Sequence, residues 1–172
     1  GSRSIEIKRH WHIFEDTLID LNKKNNNFSF LLLEGENVSI NTDEDLIKIN
    51  ENQYEAIGVA DAAIVCSGTA TLETAMLRCP MIVCYKLSSL TWFFAQIMSK
   101  VKYLSLTNLI AEEKVVEEFL QNDMTSQNLS SGIISLLKTE NRSIIVKKYN
   151  MLINKLRNEK NPYDSAAIHI YD

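Results

Sequence analysis

Apolar residues Ile7, Trp11, Phe14, Leu18 and Leu21 recur at alternating spacings of four and three, which lines one face of a helix from Ser4 to about Asn25. The Asn25-Asn26-Asn27 run breaks that period, and the unbroken apolar stretch Phe28 to Leu33 reads as a buried strand. A polar, acidic segment from Glu34 to Glu44 separates it from a second strand, Asp45 to Ile49. That leaves roughly eleven residues for a parallel crossover that usually takes a dozen or more. After a short amphipathic helix, Tyr54 to Ala60, comes strand Ala62 to Cys66, the turn Ser67-Gly68-Thr69 and the helix formers Ala70 to Leu77. Pro80 ends that helix and a further apolar run, Met81 to Tyr85, follows, so residues 62–85 make a βαβ unit of minimal size.

Downstream, Lys86 to Lys102 carries Leu90, Phe93, Phe94, Ile97 and Met98 at helical spacing. Tyr103 to Leu106 reads as a strand leading into a loop at Thr107-Asn108-Leu109. Lys114 to Gln121, Ser126 to Leu137 and Arg142 to Arg157 read as helices, with a short last segment after Pro162. Alternating strands and helices predict an α/β protein, a Rossmann-like parallel sheet between helical layers with additional C-terminal helices. The expected division is one α/β domain over 1–158 and a short last segment over 159–172.

Composition narrows the picture only modestly. At 172 residues and 45% apolar content the chain suits one domain with a substantial core. A net charge of −4 without a long basic run argues against a duplex nucleic-acid partner. No apolar stretch reaches about 20 residues, and an odd cysteine count suits a reducing, cytoplasmic setting. Cys66, Cys79 and Cys84 lack zinc-site spacing and read as small buried hydrophobes. His10 and His12 point apart on a helix and His169 has no metal-type neighbour, so all three read as surface or packing residues, and no metal site or cofactor is expected.

The candidate chemistry lies at the turn. In a βαβ unit it falls at the carboxyl edge of the sheet, where free N–H groups at the next helix start attract a phosphate. Gly68 permits close approach of the backbone to a diphosphate, and Ser67 and Thr69 supply hydroxyl donors. Glu73, one helical turn beyond Thr69, can accept both hydroxyls of a ribose. By itself, Ser-Gly-Thr is also an ordinary helix start.

The stretch from Asp61 to Tyr85, with Ser67-Gly68-Thr69-Ala70, Leu72-Glu73 and Cys79-Pro80-Met81, resembles the donor-nucleotide segment of the lipid-A-disaccharide synthase family. Gly1-Ser2-Arg3 with Glu6-Ile7, Tyr103 to Ala111, and Asp164-Ser165-Ala166-Ala167 are similar to further segments of that family. The resemblance implies the C-terminal half of a GT-B fold, a strand preceding Arg3, and an N-terminal domain that carries the catalytic base. It implies an inverting, metal-independent transfer of 2,3-diacylglucosamine from UDP to 2,3-diacylglucosamine 1-phosphate (lipid X) in lipid A biosynthesis. Arg3 is then expected to stabilise the diphosphate, with Ser67, Gly68, Thr69, Glu73 and Asn108 at the UDP-sugar. Thr107 and Glu112 stand where the family has proline and glycine. The resemblance also implies a peripheral position at the inner-membrane surface, to which the Lys86–Lys102 helix and Trp92 could contribute, and a last helix that crosses to the partner domain or a second subunit of a homodimer. Another GT-B UDP-sugar transferase or epimerase, or a non-catalytic nucleotide-binding module, would share the turn and Glu73.

Overall fold

The computed structural model describes residues 4–25, 27–34, 40, 42, 45–66, 68–86 and 102–158, with the backbone alone for 4–9 and 158. Helix α1 (Ser4–Lys24) is followed by strands β1 (Phe30–Leu33) and β2 (Leu46–Ile49), helix α2 (Gln53–Val59), strand β3 (Ala63–Cys66), helix α3 (Thr69–Met76) and strand β4 (Met81–Tyr85). Helix α4 (Leu106–Ala111), strand β5 (Glu117–Leu120), a 3-10 turn (Gln121–Asp123), helix α5 (Ser126–Leu136) and helix α6 (Thr139–Asn158) complete the described elements.

Among the described residues all strand pairings are parallel. β1 pairs with β2 as a two-stranded sheet, while β4 lies between β3 and β5 in a second sheet. The β3–α3–β4 unit follows the expected pattern, and its base is closed by Ala63 N–H donating to Pro80 O at 2.8 Å.

Side-chain alternation along β4 divides the core in two, as the period of a strand requires. Ile82 and Cys84 face a cluster formed with Ile13 and Leu21 of α1 and Leu129, Ile133 and Leu136 of α5. Met81 and Val83 face the opposite cluster, with Ala75 of α3 and Tyr149 and Leu152 of α6. A helical layer on each face of a parallel sheet is the three-layer Rossmann-like arrangement.

Two expectations are overturned between residues 103 and 121. Tyr103 to Leu106 does not form a strand: Ser105 caps α4, its side chain accepting from Asn108 N–H, so Thr107-Asn108-Leu109 is helical rather than a loop. Lys114 to Gln121 is not a helix but contributes β5, paired with β4 from Ile82↔Glu117 to Tyr85↔Leu120. The open edge of β4 outweighs the helical spacing there, because its backbone groups need partners in the interior. α6 begins at Thr139, one turn before the expected Arg142. Most of the Lys86–Lys102 segment, Trp92 included, and the expected docking helix at 159–172 lie outside the described residues.

Candidate functional site

Gly68 sits between β3 and α3 with φ 139° and ψ −164°. That region of backbone space is essentially restricted to glycine. A Cβ there would meet nothing within 4 Å, so the requirement for glycine is torsional. The Gly68 carbonyl accepts from both Thr71 N–H at 3.2 Å and Thr71 Oγ1 at 2.8 Å. With the carbonyl turned into the helix, the planar trans peptide directs Thr69 N–H the other way, out of the helix start. Thr69 and Ala70 are exposed, leaving their amides open to an anion.

Glu73 follows Thr69 by one helical turn on the same face. It is half-buried, and its carboxylate has no hydrogen-bond or ion-pair partner among the described residues. The structure therefore brings Gly68, Thr69 and Glu73 together. Arg3 and Ser67 lie outside the described residues. A depression of about 260 Å³ lined by Met76, Arg78, Ile153, Leu156 and Arg157 lies at the opposite end of α3 and is separate from this site.

Asn108 is fully buried, and its amide is closed upon the chain. Its oxygen accepts from Val115 N–H at 2.8 Å and Val116 N–H at 2.9 Å. Its nitrogen donates to Val116 O at 2.9 Å and to the Glu118 carboxylate at 2.8 Å. With two bonds accepted and two donated, no capacity is left for a sugar or phosphate oxygen. The geometry gives Asn108 the role of holding the 105–118 segment in place.

Glu118 also accepts from Leu104 N–H, Ser105 N–H and Ser105 Oγ, at 2.9, 3.0 and 2.7 Å. One further bond, Thr107 Oγ1 donating to Thr71 O at 2.9 Å, ties α4 to the first turn of α3. The Gly68 turn is thus braced through Thr71, which sequence reasoning passed over, and Thr107, which it noted only as standing at the family's proline. Neither hydroxyl carried a local signal of that bond.

Behind the turn, His10 of α1 is 1% exposed and is no surface residue. Its Nε2 accepts from Lys86 N–H at 3.1 Å, and its Nδ1 lies 3.7 Å from Cys66 Sγ. Cys79 and Cys84 are buried as expected, whereas Cys66 is partly exposed and bonded to its neighbours. A hydrogen bond with the Cys84 thiol, followed by one from His10, holds Cys66 down to about 4 against the opposing effect of burial. The same bond with Cys66, then burial, pushes Cys84 well above the usual thiol range, and burial pushes Cys79 up to about 11. Among the described residues, no group of three or more His, Cys, Asp or Glu is disposed to hold a metal ion.

Parallel strands between helical layers, with a glycine turn opening a helix at the carboxyl edge, define the Rossmann-like class to which each half of a GT-B glycosyltransferase belongs. The family model described as lipid-A-disaccharide synthetase (LpxB) matches residues 1–170. The chain belongs to this glycosyltransferase family.

Among curated relatives, a lipid-A-disaccharide synthase of Alkalilimnicola ehrlichii is 30% identical over 98% of this chain and 47% of its own length. One from Hahella chejuensis is 28% identical over 98% of this chain and 45% of its own length. A third, from Blochmanniella pennsylvanica, is 39% identical over 58% of this chain and 26% of its own length. The chain spans less than half the length of these relatives. No helix among the described residues is long and apolar enough to cross a membrane.

Proposed function

We propose that this chain is the donor-nucleotide-binding domain of a lipid-A-disaccharide synthase, holding the UDP portion of UDP-2,3-diacylglucosamine during transfer to 2,3-diacylglucosamine 1-phosphate. The observation that carries this reading is the Gly68–Thr69 turn, with open amides at the start of α3 and an unpartnered carboxylate, Glu73, on the same face. A diphosphate fits the amides and the ribose hydroxyls fit Glu73. The match of the family to residues 1–170 supports the assignment.

In this mechanism the acceptor hydroxyl attacks the anomeric carbon in line with the departing UDP, and a base from the N-terminal half removes its proton. Residues of this chain stabilise the leaving group: the Thr69 and Ala70 amides, the Ser67 hydroxyl and the Arg3 guanidinium offset charge developing on the diphosphate. Asn108, through its bonds to Val115, Val116 and Glu118, keeps α4 against the turn. Transfer takes place with the enzyme peripheral to the inner membrane, where the lipid substrates reside.

Calorimetric titration of the folded chain with UDP tests the reading, with Glu73→Ala as the comparison. Binding that weakens about tenfold or more in the variant is expected, on the scale of losing hydrogen bonds to a charged group. Equal affinity in the two proteins would remove Glu73 from the site, and no binding by wild type would remove the donor-domain reading for the isolated chain.

A further inference from the structure

The parallel register of β3 and β4 sets Cys66 directly beside Cys84. Neighbouring strands lie about 4.7–4.9 Å apart, within the roughly 4.4–6.8 Å between Cα atoms that a disulfide spans. Both side chains take the α1 face of the sheet, as the alternation through Ile64 and Ile82 requires. Cys84 is fully buried, whereas Cys66, at the strand end two residues before Gly68, is partly exposed.

His10 defines the polarity of the cluster. Its Nε2 lies 3.1 Å from the Lys86 amide nitrogen and 3.3 Å from the Lys86 carbonyl oxygen, and its Nδ1 faces the Cys66 sulfur at 3.7 Å. The tautomer that accepts the amide hydrogen at Nε2 carries its proton on Nδ1. An imidazole N–H directed at a sulfur favours the thiolate, the form that attacks disulfides and alkylating agents. Cys79 is different. It is buried at the other end of β4, with its sulfur 3.6 Å from Ala60 O and no thiol beside it.

We propose that Cys66 and Cys84 form a dithiol site for reversible oxidation by low-molecular-weight disulfides, with Cys66 the attacking and Cys84 the resolving thiol. The Cys66 thiolate attacks one sulfur of the small disulfide, forming a mixed disulfide and releasing one thiolate. Cys84 then loses its proton to a released thiolate and attacks the Cys66 sulfur, expelling the second thiolate, which takes a proton from water. One protein disulfide forms as one small disulfide is reduced to two thiols, a balanced two-electron exchange. This site stands independently of the nucleotide reading.

The test uses the folded, reduced chain treated with glutathione disulfide, acid quench and peptide mass mapping. An internal Cys66–Cys84 disulfide with Cys79 left free is expected, and Cys84→Ala should accumulate the glutathione adduct on Cys66. In parallel, iodoacetamide labelling of Cys66 should stay nearly level from pH 7 to pH 5 in the folded protein. In urea it should fall about tenfold per pH unit, as an ordinary thiol does.

A tenfold-per-unit fall in the folded protein, oxidation of Cys79 at the same rate, or a Cys66 adduct that Cys84 never resolves would each overturn the proposal. The labelling profile needs only wild-type protein, so a variant that fails to fold does not protect the idea.

Discussion

At the scale of single residues, the turn depends on one backbone conformation and the α4 segment on one amide. Gly68 at φ 139° occupies a region costing another residue on the order of 1–3 kcal/mol. Gly68→Ala should therefore lower the urea midpoint and weaken UDP binding together, measurable by denaturation and calorimetry. Removing the Asn108 amide leaves the buried Val115 and Val116 N–H groups without acceptors. Asn108→Ala is expected to cost about 2–4 kcal/mol, and Asn108→Asp more near neutral pH, since a carboxylate would face the Val116 carbonyl and Glu118.

The thiol pair makes a prediction with a definite sign. Between about pH 4, where Cys66 titrates, and the ordinary thiol value of 9.0, the folded pair holds one proton and the unfolded pair two. Above 9.0 the folded pair keeps one and the unfolded pair none. The pair's contribution to stability thus rises with pH up to the ordinary thiol value and falls beyond it. The stability difference between wild type and Cys66→Ser, from urea melts, should be larger at pH 8.5 than at pH 6.

The Gly68 turn and the placement of Glu73 beside it were legible because the stretch is contiguous and helical spacing alone puts Thr69 and Glu73 on one face. His10 with Cys66 and Asn108 with Glu118 were not. The first pair is joined across 56 positions of chain and the second across a strand that local spacing mistook for helix.

At the scale of elements, sequence period gave α1, β1 to β4 and α5 and failed around β5. Lys114 to Gln121 places Val115, Val116 and Phe119 at positions a helix or a strand could use, and the choice was made by the open edge of β4. No local pattern records a vacancy on another strand. The contact of α5 with that sheet yields a further prediction. A Cβ on Gly132 would lie 3.1 Å from both Ile82 Cγ2 and Phe119 Cε2, and Ile82 is fully buried on the central strand. Ala gains up to about 1 kcal/mol in helix propensity over Gly, while overpacking costs about 1–3 kcal/mol. Because Ile82 is held between two strands, the cost should win, and Gly132→Ala should lower the urea midpoint.

Across the whole molecule, stability is expected to be graded from one sheet to the other. β4 has strands on both sides and helices on both faces, and four of its five residues are buried. The β1–β2 pair has four residues per strand, none of them buried, with Ile47 53% exposed. Two-stranded pairs are marginal on their own. Hydrogen exchange should find the amides of β4 the slowest in the chain and those of β1 and β2 clearly faster. Equal protection of the two sheets would show that they open as one unit.

The all-parallel pairing also bears on how the chain is made. Among the described strands no ladder can close through a tight hairpin, so each waits for a crossover, and the one joining Tyr85 to Glu117 must be complete before β5 can dock. Glu118 arrives on that strand. A nascent chain that has emerged only through α4 already carries Gly68, Thr69 and Glu73, yet it has only the Thr107–Thr71 bond to hold α4 against them and lacks the Glu118 carboxylate that gathers Ser105 and Asn108. Ligand-binding competence should therefore appear during synthesis only after residue 118 has left the ribosome, later than the motif that announces it.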